Sequence, residues 1–268
     1  MSDIAQALEG ASRIRSAVLS GGGYAIAYGS HARSRSLADC CSSDLDLLFV
    51  GPPVPAAVLA DLVRAVIDLH QQHGLRLDTE VAYDVKLHAT PEEAEAALRL
   101  RGFTTTAAGR IQADPVTAEP WFLNSAAFKL RLILNALSTP HIYLGGDVEL
   151  YRAHQGAAGR SIALLALALL PEASTCTVLG AAEALVTGPG GANGEDFLGY
   201  VPDAALYSAL HRGFAQLAAE HALRPVDGNS FERQPDVCQK LIAGLAQPRA
   251  QRGCGQGTMG ARRRRMPG

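Results

Sequence analysis

Two aspartates one residue apart, Asp44 and Asp46, follow the pair Gly29-Ser30 with thirteen residues between Ser30 and Asp44. On a strand, residues two apart point to one side, so the aspartates present two carboxylates together. Hard oxygen donors of this kind suit Mg²⁺, with substrate phosphates completing its shell. Two such ions about 4 Å apart can activate an incoming oxygen and stabilise a leaving pyrophosphate. Gly29 lets backbone approach a phosphate closely, and Ser30 opens a short helix whose free N–H groups and positive dipole end attract an anion. A third carboxylate is expected from a neighbouring strand, where Asp78, Glu80 and Asp84 share one parity.

The elements that must position these groups are legible from periodicity and breakers. A helix is expected before Gly21-Gly22-Gly23, then a short buried strand from Tyr24 to Tyr28. A short helix follows from Ser30 to Leu37, and a second strand from Asp44 to Val50, closed by Gly51-Pro52-Pro53. Val58, Leu59, Leu62, Val66 and Leu69 mark a helix from Pro55 to His73, stopped by Gly74. The run Leu75 to Leu87 alternates and predicts a third strand with an acidic face. From Trp121 the chain reads as almost entirely helical, over Trp121 to Leu137, Asp147 to Leu170, Thr175 to Val186 and Asp203 to Ala222. The expectation is an α+β unit over residues 1–115, a helical unit over 116–247 and a disordered basic tail over 248–268.

The motifs Tyr28-Gly29-Ser30-His31-Ala32-Arg33 and Ser43-Asp44-Leu45-Asp46-Leu47 together resemble the nucleotidyltransferase superfamily that includes DNA polymerase β and the aminoglycoside nucleotidyltransferases. Ser34 departs from the glycine usual there, and the likeness covers about the first 90 residues. The resemblance implies a small mixed β-sheet nucleotidyltransferase domain with flanking helices, followed by a C-terminal helical domain that shapes an acceptor pocket. It implies Asp44, Asp46 and a strand acid as ligands of two Mg²⁺ ions. Glu80, in Glu80-Val81-Ala82-Tyr83-Asp84, is the first choice for that acid and Asp78 the second. Gly29, Ser30 and Arg33 would hold the triphosphate, and Lys129 would reach it from the helical part. The activity implied is transfer of a nucleoside monophosphate, AMP from ATP first, to a hydroxyl of a small acceptor such as an antibiotic or metabolite.

Charge narrows the acceptor. The stretch from Pro248 to Gly268 holds six arginines and no acid, which leaves residues 1–247 with 18 basic against 26 acidic side chains, a net −8. An acidic surface disfavours nucleic acid, whose binding requires many phosphates to be neutralised. The two other readings are a protein- or tRNA-modifying nucleotidyltransferase of toxin–antitoxin type and a non-catalytic nucleotide-binding module. The five cysteines show neither CxxC spacing nor a disulfide framework, and the most apolar run, Ile162 to Leu170, is too short to span a bilayer. The start of the chain lacks a basic segment followed by an apolar run, so no secretory signal is expected, and the cysteine usage fits a reducing cytoplasm. Gly188-Pro189-Gly190-Gly191-Ala192-Asn193-Gly194 is followed by no Gly-Lys-Ser/Thr and reads as a connector, not a phosphate loop.

Overall fold

The computed structural model describes residues 21–34, 43–77, 86–105, 111–113, 126–170, 174–187 and 203–245. It is a mixed α+β fold with a small mixed sheet flanked by helices. Tyr24–Tyr28 forms β1, whose five residues are all buried. Glycine ends it: Gly29 takes φ 76°, a left-handed value that other residues adopt only with strain. The chain then turns into the single-turn helix α1, Gly29–Ser34, and returns as β2, Asp46–Val50, antiparallel to β1 with Tyr28 opposite Asp46.

After β2 comes α2, Ala56–His73, closed by Gly74 in the left-handed conformation with its N–H on the Gln71 and His70 carbonyls. Most of the expected third strand, residues 78–85, lies outside the described residues. Leu75–Leu77 carry no strand, Lys86 and Leu87 are helical, and β3 is His88–Ala89, parallel to β2. Among the described residues β2 pairs with β3 at Phe49 opposite His88 and Val50 opposite Ala89. The acidic residues Asp78, Glu80 and Asp84 lie outside the described residues.

Helix α3, Pro91–Leu98, begins with a capping box. The Thr90 hydroxyl accepts from the Glu93 N–H, the Glu93 carboxylate accepts from the Thr90 N–H, and Pro91 occupies the first turn. Strands β4, Phe103–Thr105, and β5, Ile111–Ala113, form a separate two-stranded ribbon. Helix α4, Ala126–Ser138, then leads to β6, Ile142–Gly146.

β6 falls between the expected helices Trp121 to Leu137 and Asp147 to Leu170, and adds a strand to a stretch expected to be almost entirely helical. It pairs antiparallel with β1, so the sheet order is β3-β2-β1-β6. Helix α5, Val148–Leu169, follows, capped by Asp147. Thr175–Thr177, expected as the start of a helix, is strand β7, and the helix α6 begins at Val178 and runs to Thr187. Helix α7, Ala204–Ala219, is capped by Asp203. Strands β8, Leu223–Pro225, and β9, Ser230–Arg233, complete a second sheet in the order β7-β9-β8 before α8, Pro235–Leu245.

Because β1 is central, its alternate residues feed two cores. Ala25 and Ala27, with Leu47 and Phe49 of β2, pack on Leu62, Val66 and Leu69 of α2. Tyr24, Ile26 and Tyr28, with Leu48 and Val50, enter the larger core of α4, α5, α6 and α7. A hydrogen bond of 2.9 Å between the Tyr24 hydroxyl and His154 Nδ1 joins β1 to α5. Helices α5 and α7 meet at two glycines: a Cβ on Gly213 would be built onto the Gly159 carbonyl oxygen and within 2.7 Å of the Ala163 Cβ. Among the described residues no helix is long and apolar enough to cross a membrane.

Burial pushes the pKa values of His70, His88, His141 and His154 below 6.5. A depressed histidine contributes stability that is fully present above its unfolded value and lost as pH falls below it, because the unfolded chain then binds more protons. The thermal midpoint should therefore decline as pH is lowered from about 7.5 to about 5.5, before most carboxylates titrate. A midpoint that stays flat or rises across that window would show that these rings take up protons without loss of the fold.

Candidate active site

The two aspartates stand at the entrance to β2, beside the exit of β1. Asp46 begins β2 opposite Tyr28, and Asp44 precedes it by one turn of the strand pattern. Each keeps about a fifth of its side chain open, 20% for Asp44 and 22% for Asp46. Both converge on one buried cation. The Lys86 ammonium, 3% exposed, contacts Asp44 Oδ2 and lies 3.2 Å from Asp46 Oδ1.

The other oxygen of Asp46, Oδ2, is turned onto Gly29. A Cβ at residue 29 would be built onto that oxygen and would lie 3.1 Å from the Asp46 carboxyl carbon. Glycine is therefore required twice at this position, by its positive φ and by the carboxylate beside it. The close approach expected for a phosphate is made here by the Asp46 carboxylate.

The loop before Asp44 is tied to α1 by two side chains. Ser30 Oγ donates to Ser43 Oγ at 2.8 Å, and His31 Nε2, fully buried, donates to the Ser43 carbonyl at 3.3 Å. On the other side, α2 holds the residue between the aspartates. The Leu45 N–H donates to His70 Nε2 at 2.9 Å, and His70 Nδ1 donates to the Val66 carbonyl at 2.7 Å. A carbonyl can only accept, so the proton sits on Nδ1, and burial holds the ring neutral by lowering its pKa. His70 thereby fixes the backbone from which both carboxylates project.

The remaining expected residues are placed as follows. Arg33 is exposed in the last turn of α1. Lys129 of α4 donates to both Glu93 carboxylate oxygens at 2.8 Å, so a role at a triphosphate requires that ion pair to open. Asp78 and Glu80 lie outside the described residues, and among the described residues no three His, Cys, Asp or Glu side chains converge as a metal site.

Lys86 and His70 were missed by the sequence reading, although each left a trace. Lys86 has the even parity of Asp78, Glu80 and Asp84 and is one of only three lysines in a chain that otherwise uses arginine. His70 follows Leu62 and Val66 at helical spacing, so it continues the apolar stripe of α2 into the core.

The arrangement can hold a hard cation between two carboxylates while a glycine backbone passes close beside one of them. Compared with protein-family models, with curated proteins and with solved structures, the chain finds no match in any of the three.

Proposed function

We propose that the chain is a Mg²⁺-dependent nucleotidyltransferase that moves a nucleoside monophosphate, AMP from ATP first, onto a hydroxyl of a small-molecule acceptor. The observation that carries the reading is the convergence of Asp44 and Asp46 on one cationic point, with Asp46 against the Gly29 backbone. The donor set fits magnesium: two hard carboxylates, each partly open, already gather positive charge. Bound by Asp44 and Asp46, Mg²⁺ would supply Lewis-acid polarisation of the reacting phosphate oxygens.

In the transfer, the acceptor oxygen forms a bond to the α-phosphorus while the bond from that phosphorus to its bridging oxygen breaks. The electron pair leaves with pyrophosphate, and the hydroxyl proton passes to a base. The chain's own part is positional. His70 and Ser43 fix the backbone on either side of Asp44, so the carboxylates need not reorganise when negative phosphate arrives. Gly29 lets the Asp46 carboxylate sit against the backbone at the end of β1, and the helices after residue 126 would shape the acceptor pocket. The acidic balance of residues 1–247 favours a cationic or neutral acceptor. A cytoplasmic location goes with this reading.

The test is incubation of the full chain with Mg²⁺, each of the four common nucleoside triphosphates and a panel of hydroxyl-bearing small molecules, read by mass spectrometry. ATP should give an acceptor heavier by one adenylyl group, with stoichiometric pyrophosphate. No pyrophosphate and no mass gain with any triphosphate would overturn the reading.

A further inference from the structure

We infer that the Lys86 ammonium takes the place of one of the two divalent ions, so that this site works with a single Mg²⁺. The inference rests on the transfer reading and deepens it. Lys86 Nζ lies on one oxygen of each aspartate, Oδ2 of Asp44 and Oδ1 of Asp46, the position of an ion shared between the two carboxylates. Asp46 turns its other oxygen onto Gly29. The pair is therefore two-sided, with a fixed ammonium on one side and the Gly29-Ser30 turn on the other.

Charge points the same way. Among the described residues the ammonium already offsets one of the two carboxylate charges that would otherwise draw a second divalent ion to this point. A second ion would have to enter beside the ammonium or displace it. Displacement would take an ammonium that is 3% exposed away from two carboxylates, and drawing a buried charge away from counter-charges is strongly disfavoured. Residue type agrees as well. Only three of the 24 basic residues are lysine, and one stands here. A compact ammonium fits between two carboxylates as a metal ion does, whereas a planar guanidinium presents a broad fork.

The experiment counts manganese. The full chain, saturated with a non-hydrolysable ATP analogue, is titrated with Mn²⁺ and read by electron paramagnetic resonance. The wild type should bind one ion per chain, while Lys86→Met and Lys86→Gln should bind two, with the spin–spin broadening of a close pair. Two ions in the wild type would overturn the inference and leave the transfer reading standing, as would one ion in folded Lys86→Met. No bound ion in any form would overturn both. Should the variants fail to fold, ¹⁵N-lysine labelling of the wild type decides, since three lysines give few signals. A slowly exchanging Lys86 ammonium signal that persists with Mg²⁺ and nucleotide supports the inference. Loss of that signal to rapid solvent exchange on loading overturns it.

Discussion

Asp46→Asn should lower nucleotide transfer by about a thousandfold or more while the protein stays folded. The asparagine carbonyl can still accept from Lys86, and the side-chain volume is unchanged, so the packing at the start of β2 is kept. What disappears is the negative charge that holds the cation. Losing roughly 4 kcal/mol of transition-state stabilisation corresponds to about three powers of ten in rate. Asp44→Asn should behave alike, because its oxygen shares the same ammonium. The measurement is the transfer rate at saturating ATP, with circular dichroism and the thermal midpoint as controls for folding. Activity within about threefold of wild type in either variant would remove the carboxylate pair from the mechanism.

Gly213→Val should be among the most destabilising single changes in the chain, at about 3 kcal/mol or more. Its Cβ would be built onto the Gly159 carbonyl oxygen and crowd the Ala163 Cβ, and backbone cannot rotate away as a side-chain tip can. Helices α5 and α7 must separate, which opens the core that holds Ile162, Leu210 and Phe214. Gly156, on the same α5, supplies the contrast, since a Cβ there meets nothing within 4 Å. Gly156→Ala should stabilise by about 0.5–1 kcal/mol through helix propensity alone. Urea unfolding of both variants checks the pair. Equal midpoints would mean that α5 and α7 do not touch at residues 159 and 213.

The parts of this molecule that could be read from sequence are those fixed by local spacing. The Asp44 and Asp46 pair, the strands Tyr24–Tyr28 and Asp46–Val50 and the helix that ends at Gly74 all depend on neighbours within a few residues. Ile142–Gly146 was hidden because three apolar residues followed by two glycines read locally as a connector, and only the free edge of β1 makes a strand of them. Thr175–Thr177 is strand because Phe231 and its neighbours, more than fifty residues away, pair with it. The site divides along the same line. Gly29 was found, but its need for the Asp46 carboxylate was not, since that contact exists only once β1 and β2 lie side by side. Lys86 reaches Asp46 from 40 residues away in the chain, and His70 reaches the Leu45 N–H between the aspartates from 25. No pattern in a single sequence carries contacts of that length.

The place of β1 between β2 and β6 sets a timetable for making the protein. One edge of the strand can zip as soon as Val50 has emerged from the ribosome, but its other partner begins only at Ile142. At ordinary translation speeds, roughly 5–20 residues per second, the roughly ninety intervening residues keep that edge waiting for about 5–20 seconds. During this interval the nascent chain presents the unpaired, apolar edge of Tyr24–Tyr28, a template for another strand of any origin. Slower translation lengthens the interval between the synthesis of α2 and the arrival of β6, and with it the exposure of that one edge.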